Sequence, residues 1–138
     1  MTAPRSGRAA TNPPGALVGL GLDSVEIVRF GEVLARRPSL EGRVFCPSER
    51  TYAHSLRDPV PSLAARFAVK EAVMKALGVG IGAIDWIDVE TLRASGGAPS
   101  LLVQGRAAAL AAERGVAKWF VSITHTATTA SAAVAAVS

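Results

Sequence analysis

The sequence predicts a single α+β domain built on a mainly antiparallel sheet, and three features carry that prediction. Short apolar runs stand at both ends of the chain: "ALVGLGLD" at 16–23, "KWFVSITHT" at 118–126 and "ASAAVAAV" at 130–137. Between them, helix-like segments follow one another without a strand after each, so the alternating pattern of a parallel sheet does not arise. A chain of 138 residues, 49% hydrophobic, fits one domain with a modest core.

The elements can be taken in order. Residues 16–23 read as a buried strand that delivers Asp23 at its end. Residues 24–38 carry Val25, Val28, Val33 and Leu34 near helical spacing, with Ser24 as cap, Gly31 as a weak point and Pro38 as stop. A second helix is expected between Pro47 and Pro59. The clearest helix lies in "SLAARFAVKEAVMKALG", where Ser62 is the expected cap and Gly78 the residue just past the end. "WIDVETL" (86–92) alternates as a half-buried strand, "RASGGAPS" is turn chemistry and "LLVQG" (101–105) reads as the returning strand. An alanine-rich helix at 106–115 precedes the last two strands, giving the order β-α-α-α-β-β-α-β-β.

The first fifteen residues contain three prolines, two glycines and no apolar block of the kind a secretory signal needs. A disordered tail is expected at 1–15 and the folded domain at 16–138. No apolar stretch reaches the roughly 18 residues of a membrane span, so no membrane partner is expected. Cys46 is the sole cysteine, which excludes an internal disulfide framework and suits a reducing cytoplasm. The net charge of +4 favours an acidic or phosphate-bearing partner. With one tyrosine and no dense Lys/Arg run, aromatic platforms for bases are missing, and nucleic acid is not expected.

No phosphate-loop, zinc-protease, paired CxxC or nucleophile-elbow signature occurs. "GLGLDS" and "GVGIG" read alone as tight turns. Asp23 reads on its own as a helix-capping acid, ahead of the alternative of one hard oxygen ligand for Mg2+. Glu71 and Lys75 are spaced i, i+4 with the acid first, as in a surface ion pair. Arg66 and Lys70 share that spacing with like charge, which suggests an anion that offsets their repulsion. His125 ends a strand in "SITHT"; a lone histidine is usually structural, and its strand-end position adds only modestly to a functional reading.

Taken together, "GLGLDSVEIVRF", "SLAARFAVKEAVMKALGVGIG" and "VSITHT" resemble the holo-[acyl-carrier-protein] synthase family of small 4'-phosphopantetheinyl transferases, in order and in spacing. The resemblance spans residues 16–137. It implies transfer of the 4'-phosphopantetheine arm of coenzyme A to a serine of apo acyl carrier protein, for fatty acid or polyketide synthesis, with adenosine 3',5'-bisphosphate released. It implies Mg2+, with Mn2+ as the alternative ion, held by Asp23 and Glu71. Glu71, Lys75 and His125 take the catalytic positions. Arg66, Lys70, Lys75, Gly78, Gly80, Gly82, His125 and Thr126 take positions that line coenzyme A. Arg29, with Arg36 and Arg37 near it, matches the surface that grips the acidic carrier. A homotrimer with active sites between subunits is implied as well. The chain departs from the pattern in its N-terminal tail, in "FCPSER" and in the last strand, which lacks a basic residue two positions past His125 and a larger polar residue further on. The competing reading is a non-catalytic basic module that binds an acidic protein or RNA; Asp23 and Glu71 discriminate, because such a module has no use for two acids on a phosphate-directed surface.

Overall fold

A computed structural model describes residues 12–94 and 96–138. Strand β1 (Leu17–Glu26) runs directly into α1 (Ile27–Arg36), followed by α2 (Ser39–Val44), α3 (Pro47–His54) and the long α4 (Val60–Leu77). A single 3-10 turn at Trp86–Asp88 leads into β2 (Val89–Arg93) and β3 (Pro99–Val103), then α5 (Gly105–Glu113), β4 (Lys118–His125) and β5 (Thr129–Val137). β5 is the central strand of an antiparallel sheet ordered β1-β5-β4, and β2 and β3 form a separate antiparallel hairpin. The expected α+β class is therefore the observed one.

The core lies between α4 and one face of the larger sheet. β5 alternates strictly, and Ala130, Ala132, Val134 and Ala136 on its inner face are at most 1% exposed. These small side chains leave room for a helix to lie close. α4 is buried almost all round, from Leu63 to Leu77, so it is a core helix and not an amphipathic surface one. Gly78 ends it in the left-handed conformation, at φ 71°. The other face of the sheet is open: Leu20 and Leu22 are each 65% exposed and Phe120 is 52% exposed.

Several local expectations are corrected. Ser24 does not cap α1; β1 continues to Glu26, and Ser24 Oγ pairs with Ser131 Oγ across the sheet at 2.8 Å. Gly31 does not break α1. Ser62 lies inside α4, which starts two residues earlier behind Pro59. Trp86–Asp88 is a 3-10 turn instead of strand, held by Asp88 Oδ2, which accepts from Asp85 N and Ala107 N. The short helix α2 was not anticipated. Residues 1–11 of the expected tail lie outside the described residues, but Gly15 N donates to Ser138 O at 2.6 Å and Ser138 Oγ donates to Pro13 O. Cys46 starts α3, its amide donating to Glu49; burial pushes its thiol up to about 11, which makes it inert.

Candidate functional site

The first cluster forms at the β1 edge, and two glycines create it. Side chains of Gly19, Gly21 and Asp23 would share one face of β1, toward α4. A Cβ on Gly19 would meet Ala76 O at 1.9 Å, and one on Gly21 would meet Ala72 O at 1.8 Å. Only glycine lets the strand approach the helix backbone this closely. The next inward residue, Asp23, is thereby set against the flank of α4 that carries Glu71 and Lys75.

Lys75 does not pair with Glu71 one turn away. Its Nζ donates to Asp23 Oδ1 at 3.2 Å and to Leu22 O at 2.9 Å. The Asp23 side chain is only 12% exposed, and its Oδ2 is buried without a hydrogen-bond donor. Glu71 lies alongside, half-buried. Burial pushes the Glu71 carboxyl above its ordinary range, and the nearby charge of Asp23 pushes it the same way, against Lys75. The two acids are thus electrostatic neighbours. An orphaned buried oxygen beside a second carboxyl fits a divalent cation. Mg2+ in particular takes one or two carboxylates and completes its shell with water and phosphate. Among the described residues no group of three or more His, Cys, Asp or Glu side chains forms a closed cage.

The glycine loop follows α4 on the same flank. Gly78 and Gly82 adopt positive φ, at 71° and 98°, and the space a side chain would fill at Gly80 and Gly82 is open. Arg106 on α5 fixes the far end of the loop, donating to Gly82 O at 3.0 Å and to Asp85 Oδ1 at 3.2 Å.

A second cluster forms at the opposite edge, on β4. Here a cavity of about 640 Å3 is lined by Tyr52, Ser62, Arg66, Arg93 and His125, among others. Arg66 is 5% exposed and donates to Ser62 Oγ at 2.7 Å, while its Nε has no partner. Burial lowers the Arg66 pKa, with the Glu49 charge opposing. Two guanidinium groups lie over the Tyr52 ring, Arg66 at 4.6 Å and Arg93 at 5.0 Å from its centroid. His125 ends β4 at the cavity, exposed. Thr126 follows it, but its Oγ1 already accepts from Thr128 N and Thr129 N, so this hydroxyl shapes the β4–β5 turn. Tyr52 and Arg93 were missed in the sequence. They lie 41 residues apart, in a helix and a hairpin without a shared motif, and nothing in either segment signals the contact.

Lys70 is the residue that does not fit its expected role. It is 1% exposed, its Nζ lies 2.9 Å from Glu49 Oε1, and it also donates to Trp86 O and Val89 O. The anion that offsets the Arg66/Lys70 repulsion is therefore, for Lys70, an internal glutamate, and Lys70 does not reach a ligand.

The carrier-directed arginines occupy a third surface. Arg29 and Arg36 line a shallow groove with Glu26, Glu32 and Thr128, while Arg37 is the residue after the last turn of α1. Arg29 also borders an apolar cavity of about 340 Å3, walled by Phe30, Leu34, Leu40, Phe45, Phe67 and other apolar residues.

Comparison with known proteins places this fold. The chain belongs to the 4'-phosphopantetheinyl transferase superfamily, whose model matches residues 19–137. Within that class it is similar to the holo-[acyl-carrier-protein] synthase of Streptomyces coelicolor, 50% identical over 121 residues, which cover 88% of this chain and 98% of that protein. The solved structure of the Neisseria meningitidis holo-[acyl-carrier-protein] synthase is similar with a TM-score of 0.81 and 28% identity, over 89% of this chain and all of that one. The Helicobacter pylori synthase in complex with coenzyme A is similar with a TM-score of 0.74 and 30% identity, over 86% of this chain and 99% of that one.

Proposed function

We infer that this chain transfers the 4'-phosphopantetheine arm of coenzyme A to a serine hydroxyl of apo acyl carrier protein. The observation that carries this reading is the Asp23–Glu71 carboxyl pair beside Lys75, in a chain half identical to a holo-[acyl-carrier-protein] synthase. In the reaction the serine oxygen forms a bond to the phosphorus next to pantetheine. The bond to the adenosine-bearing phosphate breaks, and adenosine 3',5'-bisphosphate leaves.

Asp23 and Glu71 would hold Mg2+ (or Mn2+), which neutralises charge on the diphosphate. Lys75, already oriented by Asp23 and Leu22 O, places a cation at the leaving phosphate, where charge develops. Glu71 acting through a water takes the serine proton. The nucleotide half lies along the loop of Gly78, Gly80 and Gly82. Arg66 and His125, with Arg93 and Tyr52, receive a phosphate of coenzyme A at the β4 edge.

Carrier docking is assigned to Arg29, Arg36 and Arg37, which attract an acidic protein, while the apolar cavity beside Arg29 accepts a side chain from it. A basic binding module would not account for two carboxyls converging around an unsatisfied oxygen. The two clusters lie on opposite edges of one sheet, so a single chain carries two half-sites. The open face with Leu20, Leu22 and Phe120 supports a homotrimer in which they meet between copies. No helix among the described residues is long and apolar enough to cross a membrane. A cytoplasmic location is proposed from the lone, buried, free Cys46 and the use of coenzyme A.

The test is mass spectrometry of apo carrier proteins, from fatty acid and polyketide systems, after incubation with the protein, coenzyme A and Mg2+. A mass gain of one phosphopantetheine unit is expected on at least one carrier. No gain on any carrier, together with no binding of coenzyme A, would overturn the reading.

A further inference from the structure

Helix α5 enters the site as described only through Arg106, yet an arginine at each of its ends flanks the glycine loop. Arg106 at the start of α5 is committed to Gly82 O and Asp85. Arg114, just past the other end of α5, has no ion pair and no side-chain hydrogen bond among the described residues. Its Nη1 lies 3.2 Å from the point where a Cβ on Gly78 would stand. Gly78 in turn continues the stripe of α4 that carries the catalytic groups. Positions 71, 75 and 78 are spaced i, i+4, i+7, with Gly78 one residue past the end of α4. The Arg114 guanidinium, supplied from the end of α5, therefore lies beside the place where a side chain at 78 would follow Glu71 and Lys75.

The charges along this stripe are unequal in their freedom. Lys75 is held by Asp23 and Leu22 O. Arg114 is exposed and unpaired, beside open space at Gly80 and Gly82. A side chain at Gly78 would make Arg114 shift by a few tenths of an ångström, so the left-handed glycine both ends α4 and leaves the guanidinium its room.

We propose that Arg114 is a further ligand-binding residue, which grips a phosphate of the nucleotide half of coenzyme A from the glycine-loop side. The proposal rests on the transferase reading above. Arg114 touches the leaving nucleotide and not the carrier, so its contribution is to the affinity for coenzyme A and for the released adenosine 3',5'-bisphosphate. Its forked donors suit a phosphate group.

Isothermal titration of the intact protein with adenosine 3',5'-bisphosphate tests this, comparing the unaltered chain with Arg114→Gln and Arg114→Lys. Arg114→Gln is expected to bind roughly tenfold more weakly, the equivalent of about 1.4 kcal/mol. Arg114→Lys should recover part of the affinity, and all three proteins should melt at the same temperature. The KM for coenzyme A should rise in parallel, with the KM for carrier unchanged. If the unaltered chain binds the nucleotide and Arg114→Gln binds it equally well, this inference fails alone. A lowered melting temperature with unchanged affinity would make Arg114 a cap for the end of α4 and would also overturn it. If the unaltered chain binds neither the nucleotide nor coenzyme A, the transferase reading fails with it.

Discussion

Lys70 and Glu49 form an ion pair at 2.9 Å in which neither side chain is more than 1% exposed. The pair is fully wired: Glu49 also accepts from Cys46 N and Thr91 N, and Lys70 donates to two backbone carbonyls. It thus ties α3, the 3-10 turn and β2 to α4, one residue before Glu71. Breaking such a pair leaves a buried charge without compensation, at a cost of about 3–5 kcal/mol. Glu49→Ala is expected to lower the unfolding free energy by that amount in urea titrations. The double variant Glu49→Leu/Lys70→Met should be less destabilised than the sum of the single changes.

Glu71 sets a pH dependence whose sign follows from its raised pKa. The folded chain holds the proton more firmly than the unfolded one, whose carboxyl titrates near 4.5. The associated stability is complete below that value and is lost as pH rises through the higher folded value. In EDTA, the melting temperature should therefore fall as pH rises from about 4.5 towards neutrality. Mg2+ needs the deprotonated pair, so its stabilising shift should be largest at neutral pH and small at pH values near 4.5. Glu71→Gln should melt normally or higher in EDTA, lose the response to Mg2+ and lose turnover. An unchanged Mg2+ response in that variant would contradict the assigned ligand.

Gly21 is the close contact between β1 and α4, with a built Cβ only 1.8 Å from Ala72 O. Backbone is on both sides, so no flexible side chain can yield. Gly21→Ala should cost about 3 kcal/mol, the upper end for an overpacked core. It should also displace Asp23 from Lys75. Activity should therefore drop more than stability alone requires, measured at a temperature where the variant is still folded.

The parts legible in the sequence were those encoded locally. The left-handed glycine after α4, the two closing strands and the strand that delivers Asp23 all follow from residue type and spacing. The parts that were not legible depend on contacts between distant segments. Spacing on α4 suggested a Glu71–Lys75 surface pair, but Lys75 turns to Asp23, 52 residues away. The same rule assumed that Lys70 faces outward, and it fails because α4 is a core helix with Glu49 waiting beneath it. Six residues at 39–44 are too few to show periodicity, so α2 went unread. Ser24 looked like a cap because hydroxyl residues favour helix starts, yet its partner is Ser131 across the sheet. The site's grouping as Asp23, Glu71 and Lys75 came from resemblance, and the structure supplies the reason in Gly19 and Gly21.

The separation of the two clusters leads to a last prediction. In the order β1-β5-β4, Asp23 and His125 lie on opposite edges of one sheet, and Asp23 and Ile123 flank Ala132 of β5 on its two sides. The exposed apolar face between those edges, with Leu22 65% and Phe120 52% exposed, is where copies are proposed to meet. If each complete site takes Glu71 from one copy and His125 from the next, Glu71→Gln and His125→Ala variants are defective for different reasons. Mixed and allowed to exchange subunits, they should regenerate intact sites at about a quarter of the interfaces of a randomly assembled ring. Carrier modification by the mixture should then exceed that of either variant alone. Leu22→Asp, which sets a charge on the apolar face, should reduce the mass measured by light scattering to that of one chain and abolish the complementation. Defective variants that fail to rescue each other, despite proven exchange, would place Glu71 and His125 in the service of the same copy.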